Sequence, residues 1–540
     1  MKTPFSRRKF LKTSALAAAA GVSTPLWHSR TRAAEASPTS GAFDPAMAPG
    51  PFDGTAESLK AYQVPDWFRD AKFGIWAHWG PQSAAEDGDW YGRHIYIQGE
   101  PQYKTHLERF GHPSKFGHKD ICKIWTADKF DPDHLVELYK KAGAKYFMSM
   151  GVHHDNFDLW DSKYQPRWNA VAMGPKKDIV GLFRQAAQKQ GLKFAVSEHL
   201  AWSYVWWTVS HGSDKTGPLA GVPYDGADPQ YADLYHDYAK EFLVPEQNNQ
   251  PTRLPAPLAW RQHYFARLKD LIDKYQPDLL YNDGGMVFPE VHYRLVSHLY
   301  NVNAKLHGGK VEAVYTSKGR NDSAIGTCVF DIERGVADNI LANPWQTDTC
   351  IGNWHYDQKV YQSNSYKTPK RVIDMLVDIV SRNGNLMLNF PLPNNGALDD
   401  KELKILSGIT AWMDVNSEGI HGSRPWKIFG DGPGTKPAAA ADMRFNESKL
   451  QDLIAEDVRF TTKGDTLYAF VMGWPEKEAV IKPLAINGQY VTGKIADVQL
   501  LGFPGKLKWS QDTDGLKVEL PPEKPCDYAY ALKIAGLKLT

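Results

Sequence analysis

The chain has 540 residues but only four cysteines, Cys122, Cys328, Cys350 and Cys526, and none of them stands in a C-x-x-C spacing. A disulfide scaffold and a zinc ribbon are excluded on that count. Free buried thiols are the expectation, with a Cys328–Cys350 bridge as the alternative. Charge of either sign is also not in excess: Lys+Arg 63 stand against Asp+Glu 62. Nothing in that balance favours nucleic acid or an anionic membrane surface as partner. No H-E-x-x-H is present, no glycine-rich phosphate loop follows the first apolar strand, and no short-period repeat is visible. The alanine-rich stretch from Ser14 to Leu26 falls short of the roughly 20 apolar residues that span a bilayer. Aromatics, by contrast, are plentiful, with 18 Trp, 25 Tyr and 23 Phe. Many of these rings must be core, but a Trp-rich neutral chain also suits the apolar faces of sugar rings.

The N-terminus reads as an export signal. Ser6-Arg7-Arg8-Lys9-Phe10-Leu11-Lys12 fits the twin-arginine pattern, an apolar stretch follows, and Ala34-Glu35-Ala36 offers a cleavage site. The implied location is periplasmic or secreted, in a bacterium, with no insertion into the membrane. Residues 37–60 are rich in Ala, Pro, Gly and Ser and read as a linker or arm. From 61 to 422, short apolar strands alternate with helices. Strands are expected at Phe73–Trp79, Tyr146–Met150, Lys193–Ser197, Asp278–Asn282, Val311–Thr316, Thr327–Phe330 and Asn385–Asn389. Helices are expected after Asp131-Pro132, after Asp178, over Arg261–Tyr275 and Phe288–Leu306, and after Thr368-Pro369. Such alternation over this length predicts an α/β fold of the (β/α)8-like TIM-barrel type. A doubly wound sheet is the alternative, disfavoured by the missing phosphate loop. Beyond 423 the pattern becomes short strands at roughly ten-residue spacing, which predicts a small C-terminal antiparallel β-sandwich over 423–540.

In a barrel, reactive side chains sit just past the C-terminal ends of the strands. Those positions hold His78, the pair His153-His154 with Asp155, Glu198-His199 with Trp202 and Tyr204, Asp283 before two glycines, and Asp331 with Glu333. Two chemistries fit. One is a metal site built from the histidines; adjacent histidines make a poor chelating pair along an extended strand, because side chains alternate. The other is a pair of carboxylates for glycoside hydrolysis, one attacking and one exchanging a proton.

Four segments carry a resemblance. They are WFRDAKFGIWAHWGPQSAAEDGDWY (67–91), YFMSMGVHHDNFDLWDSKY (146–164), WNAVAMGPKKDIVGLFRQAAQKQGLKFAVS (168–197) and PDLLYNDGG (277–285). Over roughly residues 60 to 420 the chain resembles the α-L-fucosidases of glycoside hydrolase family 29. The resemblance implies a retaining, exo-acting α-L-fucosidase that needs no cofactor and no metal. Its partner would be a fucosylated oligosaccharide or glycoconjugate. Asp283 would be the nucleophile. His78, His153 and His154 would hold sugar hydroxyls, and Asp89 and Trp90 would reach the ring from a loop. Trp76 and Tyr281 would line the region of the C5 methyl. Tyr204 and Arg320 fall where the family places further pocket residues. FDIERG (330–335) supplies Glu333 as acid/base, with Glu198 as rival and Glu312 a weaker third. The chain departs from the family pattern in having Asp89 for Glu, Tyr281 for Trp and Trp76 for Phe. An α-L-galactosidase, a non-catalytic sugar-binding homologue and a metal-dependent hydrolase remain as alternatives.

Overall fold

The computed structural model describes residues 45–238, 256–435 and 443–539. The export signal, its cleavage site and the arm up to residue 44 lie outside the described residues. Eight strands close a barrel: β1 Phe73–Ala77, β2 Tyr146–Val152, β3 Lys193–Glu198, β4 Leu279–Asn282, β5 Val314–Ser317, β6 Val329–Asp331, β7 Trp345–Cys350 and β8 Gly384–Asn389. Each pairs in parallel with its neighbour, and β8 returns to β1. Every residue of β1, β2 and β4 is buried. That is why these strands read as continuous apolar runs rather than alternating ones.

The helices between them start as their sequences dictate. Asp131 accepts from the His134 N–H before a helix opening on Pro132, Asp178 accepts from Gly181, and Thr368 accepts from Arg371. The helix Asp400–Asn416 carries a capping box in which the Asp399 and Glu402 side chains satisfy each other's backbone N–H.

β7 escapes an apolar criterion because its sequence is WQTDTC. Its polar side chains are all buried but partnered. Gln346 accepts from the Tyr146 hydroxyl at 3.0 Å and donates to Asp331 at 2.6 Å, and Thr347 donates to the Gly335 carbonyl at 2.7 Å. β5 begins at Val314 rather than Val311.

Residues 45–60 form a docked arm. Asn301, on the helix Pro289–Leu306, accepts from the Phe52 N–H and donates to the carbonyls of Ala48 and Phe52. The four cysteines are free thiols, three of them buried.

Beyond the barrel, β9 Arg424–Asp431, β10 Val458–Lys463, β11 Thr466–Val471, β13 Gly493–Leu500 and β16 Tyr530–Leu537 make a five-stranded antiparallel sheet. β12 Glu478–Ile481, β14 Lys508–Gln511 and β15 Leu516–Glu519 make a second sheet of three. The two share a core that includes Trp426, Phe460, Leu467, Ile481, Leu516 and Leu532. This layer is fastened to the barrel by polar contacts: Arg459 pairs with Asp378 of the helix Pro369–Ser381, and Lys370 donates to the carbonyls of Leu453 and Met472.

Gly74 faces Tyr146 in register, and a β-carbon there would lie 2.5 Å from the tyrosine ring that fills the barrel interior. Gly74→Ala should therefore destabilise the fold by about 1–3 kcal/mol, the scale of overpacking a core. Chemical denaturation reads it, and an unchanged midpoint would show that the barrel interior is less closely filled than this.

Candidate active site

The carboxyl ends of the strands converge on a cavity of about 560 Å³, of a size that holds a small ligand. It is lined by His78 after β1, His153 and His154 after β2, His199 after β3, Asp283 after β4, Lys318 after β5, Glu333 after β6 and Asp348 from β7. Trp76, Trp90, Trp202, Trp206, Tyr281, Trp354 and His355 form much of the wall. The His153–His154 pair converges although strand alternation predicts divergence, because β2 ends at Val152 and both side chains belong to the turn beyond it. Their rings stand 4.5 Å apart.

One ammonium organises the acidic side. Lys318 Nζ lies 2.6 Å from Asp283 Oδ1, 2.7 Å from Glu333 Oε2 and 3.5 Å from Asp348 Oδ2. The first two contacts together cap the separation of the facing Asp283 and Glu333 oxygens at about 5.3 Å. The other Asp283 oxygen, Oδ2, lies 3.0 Å from His199 Nδ1 and 3.2 Å from His154 Nε2. Tyr281 donates to Asp348 at 2.8 Å.

The two carboxyls are driven apart electrostatically. Burial alone would raise Asp283, but Lys318, His199 and His154 outweigh it and hold the group well below the usual carboxylate range. Burial raises Glu333, Lys318 opposes this, and Asp348 and Asp283 add to it, leaving it at about 7. Lys318 stays protonated: burial would lower it, but Asp283, Asp348 and Glu333 hold it well above its ordinary value.

On the opposite side, burial keeps His78 and His153 neutral, well below the ordinary imidazole range, and His355 at about 3. Gln82 donates to His153 Nδ1 at 2.7 Å, which leaves Nε2 to carry the proton. Both ring nitrogens of His78 and of His355 are buried without a hydrogen-bond partner among the described residues, as is Trp76 Nε1. Buried polar atoms of this kind call for a ligand rich in donors and acceptors. His78, His153 and His355 form one group whose nitrogens lie within 4.8 Å of one another, and His153, His154 and His199 form another, so either could also surround a metal ion.

Several expected residues stand elsewhere. Asp89 does not line the cavity; its Oδ1 accepts from the His355 N–H at 2.8 Å and so holds the loop that presents Trp354 and His355. Tyr204 faces away, packed against His236, Tyr238 and Trp260, because two residues along a short helix set it on the face opposite Trp206, which lines the cavity. Arg320 opens the next short helix and lines a separate surface pocket near Cys328; Lys318, two residues earlier, is a cation that reaches the cavity. Glu198 is buried outside the cavity lining, accepting from the Tyr264 hydroxyl at 2.7 Å and the Leu200 N–H. Glu312 precedes β5, at the opposite end of the barrel, and pairs with Lys310. Lys318, Asp348 and His355 are the cavity groups that strand-end reasoning passed over. For Lys318 the signal was present, since it is the residue directly after β5.

A family model described as Alpha-L-fucosidase matches residues 42–418, and one described as Alpha-L-fucosidase C-terminal domain matches residues 451–535. The tissue alpha-L-fucosidase of Homo sapiens is 26% identical over 499 residues, covering 89% of this chain and 91% of the human one. The alpha-L-fucosidase of Branchiostoma floridae is 24% identical, covering 92% and 98%. Among solved structures, a Thermotoga maritima alpha-fucosidase in complex with fucose aligns with a TM-score of 0.66 at 22% identity, over 90% of this chain and all of that one. A GH29 alpha-L-fucosidase from Bacteroides thetaiotaomicron, trapped as a covalent intermediate, aligns with a TM-score of 0.58 at 19% identity, over 88% and 97%.

Lys318 lowers both carboxyls, so removing its charge must raise both. Lys318→Met should shift both limbs of the pH–kcat/KM profile of an aryl glycoside to higher pH. In the parent protein, activity should fall as pH rises through about 7, where Glu333 loses its proton, and hold on the acid side to below the ordinary Asp range. A variant profile that keeps its position would show that Lys318 does not set either group.

Proposed function

The chain belongs to the alpha-L-fucosidase family of glycoside hydrolases, and from that premise we propose that it is a retaining, exo-acting α-L-fucosidase that works through a covalent glycosyl-enzyme. Asp283 attacks the anomeric carbon while Glu333 gives its proton to the departing glycosidic oxygen. Glu333, now ionised, takes a proton from water, and that water displaces Asp283 from the anomeric carbon. The observation that carries this reading is the Lys318 bridge. Retaining pairs stand about 5–5.5 Å apart and inverting pairs about 6.5–9.5 Å, and facing oxygens bridged by one ammonium, no more than about 5.3 Å apart, suit the shorter range. The opposed shifts, Asp283 down and Glu333 up, match a nucleophile and an acid. The trapped covalent intermediate of the Bacteroides neighbour belongs to the same chemistry.

The unpartnered, neutral imidazoles of His78 and His355, with the Nε2–H of His153, suit the ring hydroxyls of a fucose. Trp76, Tyr281 and Trp354 offer apolar surface for its C5 methyl; the Trp76 ring lies 4.9 Å from Tyr281 and 5.7 Å from Trp354. The tyrosine's own hydroxyl is engaged with Asp348. The N-terminal pattern supports export by the twin-arginine route to the periplasm, and among the described residues no helix is long and apolar enough to cross a membrane. The barrel segment 61–422 then carries the catalysis, with 423–540 as the sheet layer that braces it.

A specific observation favours a second substrate beside fucose. Trp76 Nε1 is a buried donor that a methyl group leaves unsatisfied and a hydroxyl on C6 would satisfy. A pocket that is merely apolar rejects one added hydroxyl by only about 10²-fold. We expect aryl α-L-galactoside to be turned over with kcat/KM within about 10²-fold of the α-L-fucoside. No turnover of the galactoside would leave the site strict for the 6-deoxy sugar.

Asp283→Ala should reduce turnover of aryl α-L-fucoside by several orders of magnitude while the circular-dichroism spectrum stays native. Proton NMR of the parent reaction should show the α-anomer released first, with activity unmoved by a chelator. Release of the β-anomer first would refute retention. Zinc lost together with activity on chelation would replace the sugar reading of the histidines with a metal one.

A further inference from the structure

The mouth of the cavity is completed by a segment from beyond the barrel. Residues 443–447 lie against the loop that carries Glu333. The Phe445 N–H donates to the Glu333 carbonyl at 2.8 Å, and the Glu447 N–H to the Arg334 carbonyl at 3.0 Å. Asn446 accepts from the Val336 N–H and donates to the Val336 carbonyl, both at 3.0 Å. The Glu447 carboxylate takes Arg334 and Thr349, each at 2.6 Å. The approach is so close that a β-carbon on Gly335 would lie 1.9 Å from the Met443 carbonyl oxygen.

Phe445 stands out within this clasp. It is 57% exposed, lines the cavity, and has φ of +54°, a conformation that bulky side chains rarely adopt. Burial does not account for a large apolar ring held in solvent, and strained residues cluster where they serve a ligand. The backbone contact places the ring beside Glu333. A general acid must touch the glycosidic oxygen, so whatever leaves with that oxygen lies next to it.

We propose that Phe445 is the platform of the leaving-group subsite, stacking on the C–H face of the pyranose or aryl ring to which the fucose is joined. The assignment rests on the fucosidase reading above and deepens it: the enzyme prefers leaving groups that present a flat apolar face. The Ala substitution keeps the backbone N–H that contacts Glu333, so it removes the ring and not the clasp.

The test compares Phe445→Ala, Phe445→Tyr and the parent on α-L-fucosyl fluoride, whose leaving group has no ring, and on a fucosyl disaccharide. We expect the Ala variant to lose about tenfold more kcat/KM on the disaccharide than on the fluoride, mostly in KM, and the Tyr variant to recover most of it. Equal losses on both substrates, or no loss on either, would overturn the assignment while leaving the fucosidase reading in place. If the parent turns over neither substrate, the fucosidase reading fails and the subsite falls with it.

Discussion

The geometry of the site depends on a single buried ammonium held among carboxylates. Lys318 touches Asp283 and Glu333 and lies 3.5 Å from Asp348. Without a cation these groups would repel, and one of the two active carboxyls would be pushed outward or neutralised. With it, the facing oxygens of Asp283 and Glu333 stay within about 5.3 Å of each other. The same charge keeps Asp283 ionised in a place where burial alone would protonate it. Glu333 is raised by burial, and the repulsion of Asp348 and Asp283 adds to this against the pull of the same Lys318, so it holds its proton to about 7.

The barrel supplies this arrangement because each strand ends on a group that the next strand's end must accommodate. Asn389, closing β8, accepts from the His78 N–H at 2.8 Å and donates to the Trp354 carbonyl at 2.9 Å, tying the first strand to the loop after the seventh. Asp89 fastens the same loop from the other side. His78 and His355 are thus held through their backbone N–H groups, which leaves their ring nitrogens without a partner among the described residues. The acidic half is held by charge, the histidine half by hydrogen bonds.

Much of this could be read from the chain, and the remainder was hidden for definite reasons. His78, His153, His154, Asp283 and Glu333 follow apolar strands, and the rule that barrel chemistry gathers at strand ends brings them to one cavity; Trp90, on a loop, was reached only through the family resemblance. β7 was not legible because its burial is achieved with polar side chains, each of them partnered. Lys318 follows β5 as Asp283 follows β4, yet a lysine before a glycine reads as a solvated turn. Arg320 was the more visible cation and points elsewhere. Tyr204 looked like a pocket aromatic because it follows β3 closely, but on the short helix there Trp206 takes the face toward the cavity and Tyr204 the face away from it. Phe445 had no local signal, since nothing in MRFNESK announces contact with a loop more than a hundred residues earlier.

The clasp between 443–447 and the Glu333 loop bears on how such chains can be recombined. The barrel's strands and helices are complete by residue 416, which makes the sheet layer look like a detachable module. The backbone that steadies the Glu333 loop is nevertheless written on the module's side of that boundary, and Gly335 on the barrel side is shaped to receive it. A chimera joined between barrel and sheets would inherit the Glu333 loop from one parent and its support from another. The two stretches therefore form one unit of inheritance, and a crossover that respects it lies after residue 447, inside what the strand count assigns to the second domain.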